Sequence, residues 1–329
     1  MVSGDLAKTM TSTLLALIGV FLLVDLIVLP PLIIRARLRP MDANARASAP
    51  GQFATLTDGI THYQWHGPRT GPIIVLVHGL SAPSFIFAGL IPHLTRAGYR
   101  VLTYDHFGRG WSDRPTSPQT AGFFGRQLND LLDNQSVNKP VILIGYSMGG
   151  AVVSAYAQHH PSRVSHLVLL ASAGFVHQTG GLIGFIRRTP LIGDWLMTVF
   201  GAARLNSAAK LEDQTKSAVP DITAKMQHET FYRGYLPAIL SSLRNLLGRP
   251  FDELHRDLAT QNIPTLAIWG AIDATIPITS ADRLSAANPD VKTVILRDEG
   301  HSLTYTNPKG TAAEILAFLP PAPAENTKA

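Results

Sequence analysis

The stretch GYSMGG at 145–150 is where this chain looks most able to do chemistry, because a serine sits there between glycines. A serine hydroxyl is a weak nucleophile alone and needs a neighbouring base to take its proton. The five-residue pattern around Ser147 arises by chance too often to argue from by itself, and gains weight only between a strand and a helix. Both are expected here, a strand over 141–144 and a helix over 148–159. Small residues at 145 and 149 then let a tight turn lift Ser147 to the N-terminus of that helix. The helix dipole and free N–H groups at that point favour developing negative charge. The competing reading is an ordinary glycine-rich turn.

The base and its acid are chosen by position, since the chain has 12 histidines. His301 lies in DEGHS at 298–302, directly after an apolar run at 293–296. Asp273 lies in WGAIDATIP at 269–277, directly after the run at 265–269. Loops after parallel strands gather at the carboxyl edge of a sheet, the edge that also carries Ser147. Asp273 would hold the His301 imidazole in the tautomer that accepts the serine proton. Asp298 is the second candidate acid, but it is close enough to His301 in sequence to cap the loop instead. The oxyanion needs two donors. The N–H of Met148 is one, as the residue after the nucleophile. Leu80, in HGLS at 78–81, is the other, because Gly79 lets the backbone turn inward. His78 could pass for a second base, but a hydrogen bond that shapes its own loop is the better reading.

These positions need a particular scaffold. Short apolar runs at 73–77, 101–104, 141–144, 167–170, 265–269 and 293–296 suit strands buried on both faces. Helical patterns alternate with them at 86–97, 123–134, 148–159, 280–287 and 311–318, which predicts a mainly parallel, doubly wound α/β sheet. A hairpin precedes it, from 53–56 and 60–65 about Asp58-Gly59. The rhythm breaks between 170 and 265, where helical patterns at 182–200 and 222–247 read as an insertion covering the sheet edge. The expected organisation is an N-terminal anchor at 1–39, a linker at 40–52, a body at 53–319 with a cap at about 175–260, and a disordered tail at 320–329.

The anchor rests on the run LLALIGVFLLVDLIVL at 14–29, followed by PPLII at 30–34. Counted from Met10 it is long enough to cross about 30 Å of hydrocarbon. Asp25 interrupts it at a cost of about 2.5–3.5 kcal/mol, which the surrounding leucines and isoleucines offset. A cleaved signal peptide would need a small-residue site near Ala43-Asn-Ala45, far past the apolar run, and the continuous apolarity argues against a buried core helix. Arg35, Arg37 and Arg39 after the run, against Lys8 before it, favour a cytoplasmic body. The net charge of +5 has no basic run with interleaved aromatics, so a nucleic-acid partner is not expected. The absence of cysteine excludes disulfides, thiolate catalysis and zinc–thiolate sites. No metal or organic cofactor is implied.

In order along the chain, HGL at 78–80, DHFGRGWS at 105–112, GYSMGG at 145–150, GAID at 270–273 and GHS at 300–302 resemble the α/β-hydrolase superfamily over roughly residues 53–319. The resemblance implies the order serine, acid, histidine, and makes 105–112 a structural loop, with His106 and Arg109 structural rather than catalytic. With the anchor, the pattern is similar to membrane-bound monoacylglycerol lipases and carboxylesterases. Relatives that cleave epoxides or haloalkanes carry an aspartate at the elbow, and Ser147 argues against both activities. The expected function is hydrolysis of a small-molecule carboxylic ester by Ser147, Asp273 and His301. The alternatives are C–C bond hydrolysis of ring-cleavage products, amide hydrolysis or acyl transfer on the same residues, and a non-catalytic binding protein on this fold.

Overall fold

The structure, a computed structural model, describes residues 2–175, 181–212 and 216–323. Eight strands form one sheet: β1 Gln52–Leu56, β2 Gly59–His66, β3 Ile73–Val77, β4 Arg100–Tyr104, β5 Val141–Tyr146, β6 Val164–Leu170, β7 Thr265–Gly270 and β8 Lys292–Leu296. Their order is β1-β2-β4-β3-β5-β6-β7-β8. β1 pairs with β2 and β2 with β4 in antiparallel fashion, and every later pairing is parallel. The doubly wound α/β sheet expected from the sequence is therefore the one observed.

Alternation of side chains along each strand builds two cores. Ile74, Leu76, Ile142, Ile144, Val168, Leu170, Leu266 and Ile268 face one side. Val75, Val77, Leu143, Leu167, Leu169, Ala267 and Trp269 face the other. Thirteen α-helices accompany the sheet among the described residues. On the first side are α3 (Ile91–Arg96), α12 (Leu303–Thr306) and α13 (Pro308–Phe318), and on the second α4 (Ala121–Asn134), α5 (Met148–His159), α10 (Asp252–Ala259) and α11 (Thr279–Ala287). Because both faces of the inner strands are covered, those strands can be apolar throughout, which is what makes them readable as runs.

The expected helix at 86–97 is a 3₁₀ turn, Ser84–Phe87, followed by α3. Pro92 lacks an N–H, and inside one long helix its ring would strike the carbonyl one turn back. The pattern at 182–200 is likewise two helices, α6 (Gly181–Arg188) and α7 (Ile192–Glu212), parted at Pro190. That at 222–247 is α8 (Ile222–Glu229) and α9 (Tyr235–Arg244), parted by Gly234 at φ +91°. The insertion over the sheet is thus α6 to α9, and α10 returns to the body against α5 and α11. Beyond Leu319 the chain packs further than its composition suggests: Tyr99 donates its hydroxyl to the Pro320 carbonyl, and Ala322 packs on the core. The last stretch of the expected tail, 324–329, lies outside the described residues.

The N-terminal helix α1 (Val2–Arg37) passes through Pro30 and Pro31 without ending. Its segment Met10–Arg37 has 28 residues and is apolar enough to cross a membrane. At 1.5 Å per residue it reaches about 42 Å, more than a hydrocarbon core needs. None of its apolar window is buried in the fold, which removes the core-helix alternative. The chain after it is tied down. Arg39 N–H donates to Phe231 O at 3.0 Å and Arg233 N–H to Arg39 O at 2.9 Å. The expected linker contains a short helix, α2 (Ala43–Arg46), capped by Asp42. Arg46 then pairs with Asp113 and donates to Trp111 O at 2.9 Å.

Cap and body meet at a buried carboxylate. Glu229, at the end of α8, accepts the Gly110 N–H at 2.8 Å and lies 3.7 Å from Arg114. Burial pushes its pKa up to about 7, against the opposing pull of Arg114 and Gly110. Between its unfolded value, about 4.5, and about 7 the folded protein keeps a proton that the unfolded chain has released, so stability falls as pH rises through that window. Glu229→Gln removes this contribution. The difference in urea unfolding free energy, variant minus wild type, is expected to grow from pH 5 to pH 7 by up to about 1.4 kcal/mol per unit and then level off. A constant difference across that range would show that Glu229 does not titrate there.

Candidate active site

β5 ends in a turn that only small residues allow. A Cβ on Gly145 would lie 2.4 Å from the Gly149 carbonyl oxygen, and one on Gly149 would lie 2.0 Å from that of Val77. Both obstacles are backbone and cannot move aside. Ser147 itself sits at φ +53°, a conformation L-residues avoid, and its strain is held by the surroundings. Its N–H donates to Leu170 O at 2.9 Å, and its carbonyl accepts from Gly150 at 2.9 Å and Ala173 at 3.0 Å. The turn is thereby fastened to the end of β6.

The three residues picked out for nucleophile, base and acid meet. His301 Nε2 lies 2.9 Å from Ser147 Oγ, and His301 Nδ1 lies 2.8 Å from Asp273 Oδ2. The other oxygen of Asp273 accepts the N–H groups of Thr275 at 2.7 Å and Ile276 at 2.8 Å, which fixes the carboxylate's orientation. The Tyr146 ring flanks the imidazole, with centroids 5.2 Å apart. Asp298, the second candidate acid, is exposed and bonds neither nitrogen of His301. Backbone bonds lock the two acid–base loops together, from Ala271 N–H to Leu296 O at 3.0 Å and from Ile272 N–H to Glu299 O at 3.1 Å.

Leu80 lines the cavity beside Ser147, Met148 follows Ser147 at the start of α5, and no backbone carbonyl outside the regular helix and strand bonds receives either N–H among the described residues. Gly79 approaches so closely that a Cβ there would stand 3.2 Å from the Ser147 Cβ. His78 does not face the reacting group. Its Nδ1 bonds Gly79 O at 2.9 Å and its Nε2 accepts the His106 N–H at 2.9 Å. Burial lowers its pKa to about 4, which keeps it neutral and able to accept that bond. His106 returns a bond to His78 O at 3.1 Å.

Arg109 has a role the sequence did not disclose. Fully buried, it donates from Nε to Leu80 O at 2.9 Å, and from its other nitrogens to Phe107 O at 3.0 Å, to Gln119 and to Ser242 Oγ at 2.8 Å. Burial lowers its pKa to about 9, so it remains a cation at neutral pH. One side chain thus positions the peptide bearing Leu80 and ties it to α9. From α9, Tyr235 also donates its hydroxyl to Ser81 O at 2.8 Å. Below them Asp105 accepts from Ser84 N–H at 3.0 Å and Trp111 N–H at 3.1 Å and pairs with His62 at 2.8 Å. Burial opposes its ionisation, but the His62 bond and charge outweigh that and hold the carboxyl well below the usual range.

Ser147 and His301 open on a cavity of about 400 Å³ between sheet and cap. Its walls are mainly apolar, with Ile183, Leu205, Met226, Leu243, Leu247 and Ile276. Arg187 stands among them and donates to Leu247 O at 3.4 Å.

Residues 72–187 match a sequence family described as the alpha/beta hydrolase fold. This chain has the α/β-hydrolase fold. The chain is 25% identical to the monoacylglycerol lipase ABHD6 of Bos taurus over 271 residues, 78% of each chain. It is 28% identical over 297 residues to the 2-hydroxy-6-oxononadienedioate/2-hydroxy-6-oxononatrienedioate hydrolase of Cupriavidus pinatubonensis, 85% of this chain and 99% of that one. The enol-lactonase from Burkholderia xenovorans superposes with a TM-score of 0.68 at 20% identity, over 81% of this chain and 99% of its own. Cfl2 from Burkholderia cenocepacia gives 0.69 at 20% identity, over 82% and 95%. At that identity the solved structures speak for the fold alone.

Replacing Arg109 by methionine strands several buried acceptors, so urea unfolding of Arg109→Met is expected to lose about 3–5 kcal/mol. Arg109→Lys should recover only part of it, because an ammonium cannot reproduce the guanidinium fork. Full recovery by lysine would mean that charge, not geometry, is what the site needs.

Proposed function

We propose that this hydrolase cleaves a carboxylic ester through an acyl-enzyme on Ser147. The observation that carries the reading is the unbroken chain from Ser147 Oγ to His301 at 2.9 Å and on to Asp273 at 2.8 Å, at the wall of an apolar cavity. His301 takes the hydroxyl proton as Ser147 attacks the carbonyl carbon. The oxyanion accepts from the N–H groups of Leu80 and Met148, and Asp273 stabilises the imidazolium. Collapse expels the alcohol, which receives the proton from His301. Water, deprotonated by the same imidazole, then releases the acid and restores Ser147. The chemistry proceeds without a cofactor.

The cavity favours a lipid-like acyl group, such as that of a monoacylglycerol. α1 would hold the enzyme on a membrane, with the body on the cytoplasmic side because Arg35, Arg37 and Arg39 follow the apolar run. A second reading is hydrolysis of a C–C bond in a ring-cleavage product. Arg187 favours it, as a cation on an otherwise apolar wall suited to a substrate carboxylate, and the relative in Cupriavidus pinatubonensis is named for a dioate.

The test is a series of nitrophenyl esters of increasing acyl length. Turnover should rise from acetate to octanoate or longer and fall at least about 1,000-fold in Ser147→Ala. No ester turnover, together with cleavage of a ring-opened dioate that Arg187→Met abolishes, would replace the first reading by the second.

A further inference from the structure

α6 and the start of α7 leave large apolar side chains bare. Leu182 is 63% exposed, Phe185 44%, Leu191 84% and Ile192 57%. Leu191 is also held at φ +66°, a strained conformation for a leucine. Exposed apolar groups gathered in this way, on a helix whose last turn is basic (Arg187 and Arg188), mark an interaction surface.

The neighbouring anchor identifies the partner. Trp195, in the first turn of α7, donates its indole N–H to Ile27 O at 2.6 Å. One turn later Thr198 shares a groove wall with Pro31, Leu32 and Ile34. The two helices therefore run side by side, and moving toward the start of α7 climbs α1 into its apolar run. Ile27 stands eight residues before Arg35, about 12 Å along the helix axis. Leu191 and Ile192 lie further along in the same direction. If α1 sits in hydrocarbon at Ile27, the groups packed beside it do too.

We propose that α6 and the first turn of α7 are immersed in the same lipid leaflet as the end of α1, so that the Ser147 cavity is roofed by membrane-embedded side chains. This rests on the reading of α1 as a membrane helix. The distance of about 12 Å from Arg35 to Ile27 lies within one leaflet of the hydrocarbon core, about 15 Å. The acidic group of that turn is already answered: Asp194 takes two bonds from Arg244, at 2.8 and 3.0 Å. α6 also supplies Ile183, Gly184 and Arg187 to the cavity wall. One side of α6 thus faces the reacting serine while Leu182 and Phe185 face the acyl chains. An apolar substrate passes from leaflet to cavity around α6 without crossing water.

The chain contains no cysteine, so nitroxide labels can be placed singly on the full-length protein in phosphatidylcholine–phosphatidylglycerol vesicles. Labels at Leu182→Cys, Phe185→Cys and Leu191→Cys should collide more with oxygen than with a water-soluble nickel chelate, as a label at Val20→Cys in α1 does. A label at Lys139→Cys, on the amino edge of the sheet, should show the reverse. Aqueous behaviour at 182, 185 and 191 with Val20 immersed overturns the proposal alone. Aqueous behaviour at Val20 as well overturns the membrane reading of α1 and this inference with it. The collision readout is independent of turnover, so neither result bears on the ester chemistry.

Discussion

A hydrogen bond between two side chains 154 positions apart, Ser147 and His301, is the constraint that the rest of the body serves. The strands that carry them, β5 and β8, are not neighbours. β6 and β7 lie between, and at about 4.8 Å per strand the separation is roughly 14 Å. The loop after β8 must therefore travel back across the end of β7. It does so over Gly270, where a Cβ would lie 2.3 Å from the carbonyl oxygens of both Glu299 and Gly300. Asp273 comes from the strand being crossed, which is why its carboxylate reaches the far nitrogen of the same imidazole. Sheet order, one glycine and two backbone bonds thus set the geometry before any catalytic group is considered.

A second layer holds the other half of the site. The peptide bearing Leu80 has no place in the sheet, and its position comes from a buried polar network instead. Arg109 grips its carbonyl, Tyr235 grips the next one, and the paired His78 and His106 shape the turn before it. Asp105 closes the network underneath, tied to the hairpin through His62. Such networks are costly if half made, because each buried group left alone loses its solvation. Two of these members, Tyr235 and Ser242, belong to the cap. The Leu80 loop and the cap are consequently one mechanical unit, and the cap is as much a support of that loop as a cover for it.

What could be read from the sequence follows from what is local. Apolar runs such as 73–77 and 265–269 mark strands because both faces are buried, and the glycines at 145 and 149 mark a turn because nothing larger fits. His301 and Asp273 were found by their places after strands, which is a rule of topology rather than of distance. The breaks inside the cap, at Pro190 and Gly234, were less visible, since a helical pattern continues on either side of them. Arg109 was read as structural, but its grip on Leu80 depends on a chain fold that brings positions 29 apart together. The packing of Pro320 and Ala322 is hidden for the same reason, because their composition is that of a tail and only the fold supplies a surface for them.

In the proposed chemistry Ser147 is a nucleophile made reactive by His301. The most direct measurement is covalent capture by a fluorophosphonate, read by intact mass and peptide mapping. One adduct is expected, on Ser147, with a labelling rate that collapses in a folded His301→Gln variant. An adduct on another residue, no adduct, or labelling of Ser147 at the same rate without His301 would contradict it.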